Sequence, residues 1–172
     1  MWGERTREGG TCVKGSVCPV THEAVELRRA SGEGVGLRAR VRDAVGPDLD
    51  IIVGMHAKAT PRAAVEFCNR VEEFRPLWVE EATQLESEVI EECRQIRAQT
   101  RVPLATGERL CSRYDFAPLC TERLVDVLMP DVVHVGGISE MRKIASPAEP
   151  FPLDVSPHTP QREVSPPAPP PL

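Results

Sequence analysis

The sequence predicts an α/β fold built on a parallel β-sheet, because short apolar runs alternate with segments of helical periodicity. Parallel neighbours need a crossover between them, and a helix is the usual crossover. The runs are apolar without a break, as expected for strands that are covered on both faces. A polar residue ends each run. The five predicted strands lie within residues 51–56, 77–81, 102–108, 127–131 and 153–158.

The predicted helices lie between these runs and carry start and stop signals. Thr60 precedes Pro61, which is the arrangement of an N-cap followed by proline at the first helical position. Apolar residues behind it recur at helical spacing and define one buried face. Gly46 and Pro47 end an earlier helix. These signals predict helices over residues 37–45, 61–74, 89–100, 115–124 and 139–145.

The two ends of the chain differ in composition from its middle. Residues 1–34 are rich in Gly, Arg and Thr and show no sustained period, so they are predicted to be poorly ordered. Residues 35–160 hold all the predicted strands and form the predicted domain. Residues 161–172 are dense in proline, which disfavours both helix and central strand, and they are predicted to be a disordered tail.

The overall composition argues against several classes of partner. The net charge is −5 and aromatic residues make up 4% of the 172 residues, so neither phosphate contacts nor base stacking are expected. No run of 18 apolar residues is present that could span a membrane. The first residues lack the apolar core of a secretory signal. The expectation is a cytoplasmic protein that binds neither nucleic acid nor membrane.

The residues that end the predicted strands are of the types that perform metal-assisted proton transfer. The carboxyl ends of parallel strands meet at one edge of a sheet, so Glu80 and Glu108 can converge on one hard cation such as magnesium. An aspartate that accepts a hydrogen bond from a histidine fixes its tautomer, which suits Asp131 and His158. His56 is a further acid or base. Taken singly, each such residue is more often a solvated loop residue or a packed histidine, so the prediction depends on their occurring together.

Longer motifs lie in this region, at residues 79–81, 105–110, 129–140, 142–145 and 156–158. Together they resemble the enolase superfamily. Within it, the chain is most similar to the mandelate racemase and muconate lactonizing enzyme group, and there to the galactonate dehydratases. The resemblance implies a partial (β/α) TIM-type barrel of about five units, matching the third to seventh strands of the family, without a capping domain.

The resemblance also implies roles for the residues at the strand ends. Glu80 and Glu108 match two of three Mg²⁺ carboxylates. Asp131 and His158 match the dyad that removes the proton next to the carboxylate of a small sugar acid. His56 matches the acid that helps the β-hydroxyl leave as water, and the product is then a 2-keto-3-deoxy acid. The sequence leaves open whether the chain forms a homo-oligomer.

One departure from the family pattern bears directly on activity. The third metal carboxylate is expected two residues before His56, where this chain has Gly54. Because a ligand and its charge are missing, magnesium affinity is expected to fall sharply. The sequence therefore predicts a lyase of the sugar-acid dehydratase type whose own activity is impaired. A non-catalytic fragment or relic of the family is one alternative, and a racemase of the same group is the other.

Overall fold

The computed structural model describes residues 12–16, 35–36, 39–82, 89–148, 150–151 and 153–158. In this part of the chain, six strands form one parallel sheet whose spatial order follows the chain order. The predicted α/β class is confirmed, and the alternation of strands and helices is that of a partial β/α barrel. The strands are β1 Cys12–Ser16, β2 Asp50–Gly54, β3 Trp78–Glu80, β4 Leu104–Thr106, β5 Val127–Leu128 and β6 Asp154–Val155.

Strand β1 was not among the five predicted strands and lies inside the segment predicted to be poorly ordered. It pairs with β2 along its whole length, from Cys12 opposite Asp50 to Ser16 opposite Gly54. Its sequence carries little strand signal, because lysine and glycine interrupt the apolar residues. Long-range pairing with a strongly apolar neighbour therefore decides its structure. The other residues of the 1–34 segment, and the predicted tail at 161–172, lie outside the described residues.

Among the described residues, five α-helices cross between the strands near the predicted positions. The N–H of Ala63 donates to the Thr60 hydroxyl at 3.4 Å, so the predicted N-cap is present. The fourth helix begins earlier than predicted because Ser112 and Asp115 form a capping box. The fifth runs past its predicted end, to Ala148. The helices are α1 at 39–45, α2 Pro61–Val71, α3 Val89–Arg97, α4 Arg113–Thr121 and α5 Ile138–Ala148.

The main hydrophobic core lies between the sheet and the helices. Alternate strand residues point toward this layer, where α2 packs on α3 and α4 packs on α5. Phe116 and Leu119 of α4 are among its fully buried side chains. Burying side chains of this size contributes about 2 kcal/mol each. The strand residues that build this core are Ile51, Val53, Val79, Leu104 and Leu128.

The opposite face of the sheet carries a smaller cluster, with Trp78 packed against Ala105, Val127 and Met129. Glu80 lies two residues after Trp78 and therefore on this same face. The polar strand ends thus lie beside a thin apolar layer rather than over the main core. No helix in the described ranges has the length and apolar character needed to cross a membrane.

Candidate active site

The strand register places two pairs of predicted site residues side by side. Gly54 lies opposite Glu80 on neighbouring strands β2 and β3. Beyond the ends of β5 and β6, Asp131 and His158 form an isolated parallel bridge. Both pairs lie at the carboxyl edge of the sheet, because all strands run in one direction. The fold therefore brings chain segments about 100 residues apart to one edge.

His158 lies between two carboxylates. Its Nδ1 is 3.2 Å from Asp131 Oδ2, and its Nε2 is 3.1 Å from Glu108 Oε2. The three side chains are at most 16% exposed. A neutral imidazole has one N–H and can donate to one of these carboxylates, whereas a ring protonated on both nitrogens donates to both. The arrangement gives each ring nitrogen of His158 a carboxylate neighbour.

Asp131 is fixed in place by backbone donors. Its Oδ1 accepts hydrogen bonds from the N–H groups of Val133 at 2.7 Å and His134 at 3.3 Å. Burial acts to raise the pKa of Asp131, but these donors and His158 outweigh it, so the pKa lies below its ordinary value. Asp131 is therefore an ionised acceptor that can orient the His158 ring.

Glu80 forms a second centre at the ends of β2 and β3. Its side chain is 1% exposed, and its Oε1 lies 2.5 Å from Lys14 Nζ. Trp78 Nε1 donates to the other oxygen at 3.4 Å. Oε1 receives no well-directed hydrogen bond, so the contact with Lys14 is mainly one of charge. Glu80 is thus a buried carboxylate whose two oxygens both face nitrogen atoms.

Gly54 and His56 border this second centre. A Cβ added at Gly54 would lie 3.2 Å from Glu80 Oε1 and 3.4 Å from His56 Nε2. The His56 ring therefore lies beside the strand end, close to Glu80. His56 and the next residue, Ala57, both have positive φ values, 54° and 56°. Left-handed backbone at non-glycine residues costs about 1 kcal/mol or more each, and such conformations occur often at functional sites.

Glu81 connects the two centres and was not predicted to have a site role. It is fully buried, and its Oε1 accepts from the N–H groups of Gly107 at 2.8 Å and Glu108 at 3.1 Å. The Thr106 hydroxyl donates to Oε2 at 3.2 Å. Burial raises the pKa of Glu81 to about 7 despite these donors, with the nearby Glu108 charge adding to the rise. Glu81 therefore holds the backbone that presents Glu108.

The structure thus divides the predicted site residues into two contact groups. Glu108, Asp131 and His158 form one group, and Glu80 with His56 around Gly54 forms the other. Lys14 was missed because β1 was missed, and the only sequence signal was the short Cys12–Val13 run before it. In the described ranges, no three His, Cys, Asp or Glu residues are grouped so that they could hold a metal ion. The magnesium site at Glu80 and Glu108 stays a prediction.

Comparison with known proteins identifies the family. The model of the family described as "Enolase C-terminal domain-like" matches residues 11–168. This chain belongs to that family, which confirms the resemblance drawn from the sequence motifs. The match includes β1, so the family domain begins well before the first predicted strand.

Individual relatives agree with this assignment. A D-gluconate dehydratase from Thermoproteus tenax is 44% identical over 133 residues, which are 77% of this chain and 26% of that protein. An L-talarate dehydratase from Polaromonas sp. JS666, crystallised with Mg and L-glucarate, superposes with a TM-score of 0.76 at 28% identity, covering 90% of this chain and 41% of that one. A mandelate racemase/muconate lactonizing enzyme-like protein from Rubrobacter xylanophilus DSM 9941 superposes with a TM-score of 0.81 at 30% identity. The superposition covers 91% of this chain and 41% of that one. The chain therefore spans about a quarter of the curated relative's length.

Proposed function

We propose that this chain carries the acid–base part of a sugar-acid dehydratase site, and that its net dehydration is impaired at Gly54. The observation that carries the proposal is the line of Asp131, His158 and Glu108, with both ring nitrogens of His158 within 3.2 Å of a carboxylate. The similarity to a D-gluconate dehydratase supports a small hydroxylated carboxylic acid as the substrate class.

In the proposed reaction, His158 takes the proton from the carbon next to the substrate carboxylate. Asp131 accepts the Nδ1–H hydrogen bond, which leaves the Nε2 lone pair as the base. The proton moves to Nε2, and the Glu108 carboxylate 3.1 Å away stabilises the imidazolium that results. For this step Glu108 has to shift aside enough to admit the substrate, while Asp131 stays fixed.

His56 is proposed as the acid of the second step. Its proton goes to the β-hydroxyl, which leaves as water, while the electron pair on the adjacent carbon forms the carbon–carbon double bond. The enol that results tautomerises to the 2-keto-3-deoxy acid. The position of the His56 ring beside Gly54 and Glu80, at the opposite end of the site from His158, supports this division of roles.

The residues present do not fit a tight magnesium site, so no step is assigned to a metal. Gly54 offers no side-chain ligand, and both oxygens of Glu80 face Lys14 and Trp78. Magnesium needs several oxygen ligands in near-octahedral geometry. The charge that develops on the substrate carboxylate would therefore be poorly stabilised, which is the physical reason for the proposed impairment.

The proposal is tested by following deuterium uptake and product formation separately. D-gluconate and D-galactonate are incubated with the chain in D₂O, with magnesium added. NMR detects deuterium at C2, and a semicarbazide assay detects the 2-keto-3-deoxy acid. We expect slow deuterium uptake that His158→Gln abolishes and Glu73→Gln, at an exposed residue away from the site, leaves unchanged. Gly54→Asp should raise product formation at least about tenfold, since it adds the missing carboxylate.

The alternatives give different results in the same experiment. Gly54 favours a non-catalytic relic as the alternative. If neither deuterium uptake nor product formation is detected, even in Gly54→Asp, the relic replaces our proposal. Uptake accompanied by inversion at C2, without water loss, would indicate a racemase. Product formation by the unmodified chain as fast as by Gly54→Asp would contradict the proposed impairment.

A further inference from the structure

The path of the Lys14 side chain depends on Gly54. Lys14 lies on β1, and Glu80 lies on β3, so β2 runs between them. In the register, Lys14 is opposite Ile52, two residues before Gly54, and Gly54 is opposite Glu80. To reach Glu80, the lysine chain has to cross β2 beside Gly54. A glycine is the one residue that leaves this crossing free of a side chain.

Glu80 Oε1 is close both to the Lys14 ammonium and to the position that a side chain at residue 54 would occupy. Lys14 Nζ lies 2.5 Å from Glu80 Oε1, and a Cβ at Gly54 would lie 3.2 Å from that atom. A separation of 3.2 Å is tighter than most real Cβ contacts, so a longer side chain at position 54 would crowd the ion pair. An aspartate there would also place a second negative charge beside Glu80. Gly54 and Lys14 are therefore physically coupled through one carboxylate oxygen.

Glu80 needs a cation because it is buried. A carboxylate that is 1% exposed loses most of its hydration, and an unpaired charge in that position is costly. Trp78 supplies one long hydrogen bond, which carries no charge. Lys14 supplies the positive charge, and its side chain is 42% exposed, so the ammonium enters from the solvent side.

We propose that Lys14 is the resident cation of Glu80, and that it takes at this strand end the place that a divalent metal ion needs. Gly54 makes this possible because it leaves the lysine path open. The proposal concerns charge and stability, and it does not depend on the chain being catalytic. It predicts that magnesium does not displace the Lys14 ammonium from Glu80.

Thermal unfolding of the full chain, in EDTA or in excess magnesium chloride, tests the proposal. The wild-type Tm should be the same in both. Lys14→Met should lower the Tm in EDTA by about 5 °C, because Glu80 is left unpaired. Magnesium should recover much of that loss in Lys14→Met alone. Lys143→Met is the matched control, since Lys143 pairs with the partly exposed Glu140 at 3.4 Å and is itself largely exposed, so its loss should change little.

Two further variants keep the test decisive when Lys14→Met folds poorly. Lys14→Met combined with Glu80→Gln removes both charges and should be more stable than Lys14→Met alone. Lys14→Met combined with Gly54→Asp should bind Mn²⁺ more than about tenfold tighter than wild type, as read from the loss of the free-ion EPR signal. The proposal is overturned when magnesium raises the wild-type Tm as much as that of Lys14→Met. It is also overturned when the Glu80→Gln change fails to improve Lys14→Met.

Discussion

Replacing Glu81 with glutamine isolates the effect of one buried carboxyl group on stability. Glutamine has the same shape, and its single oxygen can accept from the N–H groups of Gly107 and Glu108. Its amide can donate to the Thr106 hydroxyl, which then acts as acceptor. The backbone of Glu81 is held independently, because its N–H donates to Ala105 O at 2.9 Å. The variant is therefore expected to fold with the same geometry.

The expected magnitude follows from the pKa of Glu81. Burial raises this pKa from 4.5 to about 7 in the folded chain. Below pH 4.5 the carboxyl is protonated in both states, and its contribution to stability is fully present. Between pH 4.5 and 7 only the unfolded chain loses the proton, so the folded state loses stability as the pH rises. The total loss of folding stability is about 3 kcal/mol, since each unit by which folding raises the pKa corresponds to about 1.4 kcal/mol.

Urea unfolding at several pH values measures this effect. The free energy of unfolding of Glu81→Gln, minus that of wild type, should rise by about 3 kcal/mol between pH 4.5 and 8. Glu73→Gln, which makes the same substitution at an exposed glutamate, is the control variant. Asp131 does not interfere, because its lowered pKa places its titration below this range. A flat difference for Glu81→Gln would refute the reasoning.

Three smaller changes test other parts of the structure. Gly107→Ala places a Cβ 2.5 Å from the Phe116 ring at a φ of 129°, so urea unfolding should show a loss of about 3 kcal/mol. Thr60→Ala removes the N-cap of α2 and should cost about 1 kcal/mol in the same assay, with unchanged circular dichroism. Asp131→Asn turns an amide donor toward His158 and should move the ring proton from Nδ1 to Nε2, which ¹⁵N NMR detects. Deuterium uptake at C2 should then fall at least about 100-fold.

The strands of the sheet could be predicted where an apolar run is long enough to be recognised. The run ending at Gly54 and the run ending at Glu80 were both identified, since buried parallel strands lack polar interruptions. Strand β1 could not be identified in this way. Lys14 and Gly15 interrupt it, and pairing with β2 rather than local preference makes it a strand.

The site was predictable to the extent that it depends on strand ends. Asp131 and His158 lie opposite each other because two predicted strands are neighbours in the sheet. The role of Glu81 was not predictable, because alternation states only that it points away from Glu80. Its hydrogen bonds to the β4 end require the left-handed φ of 52° that the structure gives it. The contact of Lys14 with Glu80 depends on how β1, β2 and β3 are aligned with one another in the sheet. No local sequence pattern encodes that alignment.

Three glutamates at this edge, of which Glu80 and Glu81 are buried and Glu108 is partly buried, lose hydration and are stabilised in three different ways. Each strand end brings a carboxylate out of water, and each must be neutralised or hydrogen-bonded. Glu80 is paired with the Lys14 ammonium, and Glu108 faces the His158 ring. Glu81 accepts hydrogen bonds from uncharged donors at the end of β4, so burial raises its pKa and the proton itself reduces its charge near neutral pH. A carboxylate added at Gly54 would place a second negative charge beside Glu80, and a further cation would be needed to neutralise it. The affinity of this variant for magnesium measures how strongly that cation is held. The loss of the Lys14 contact measures the same balance of charge from the other side.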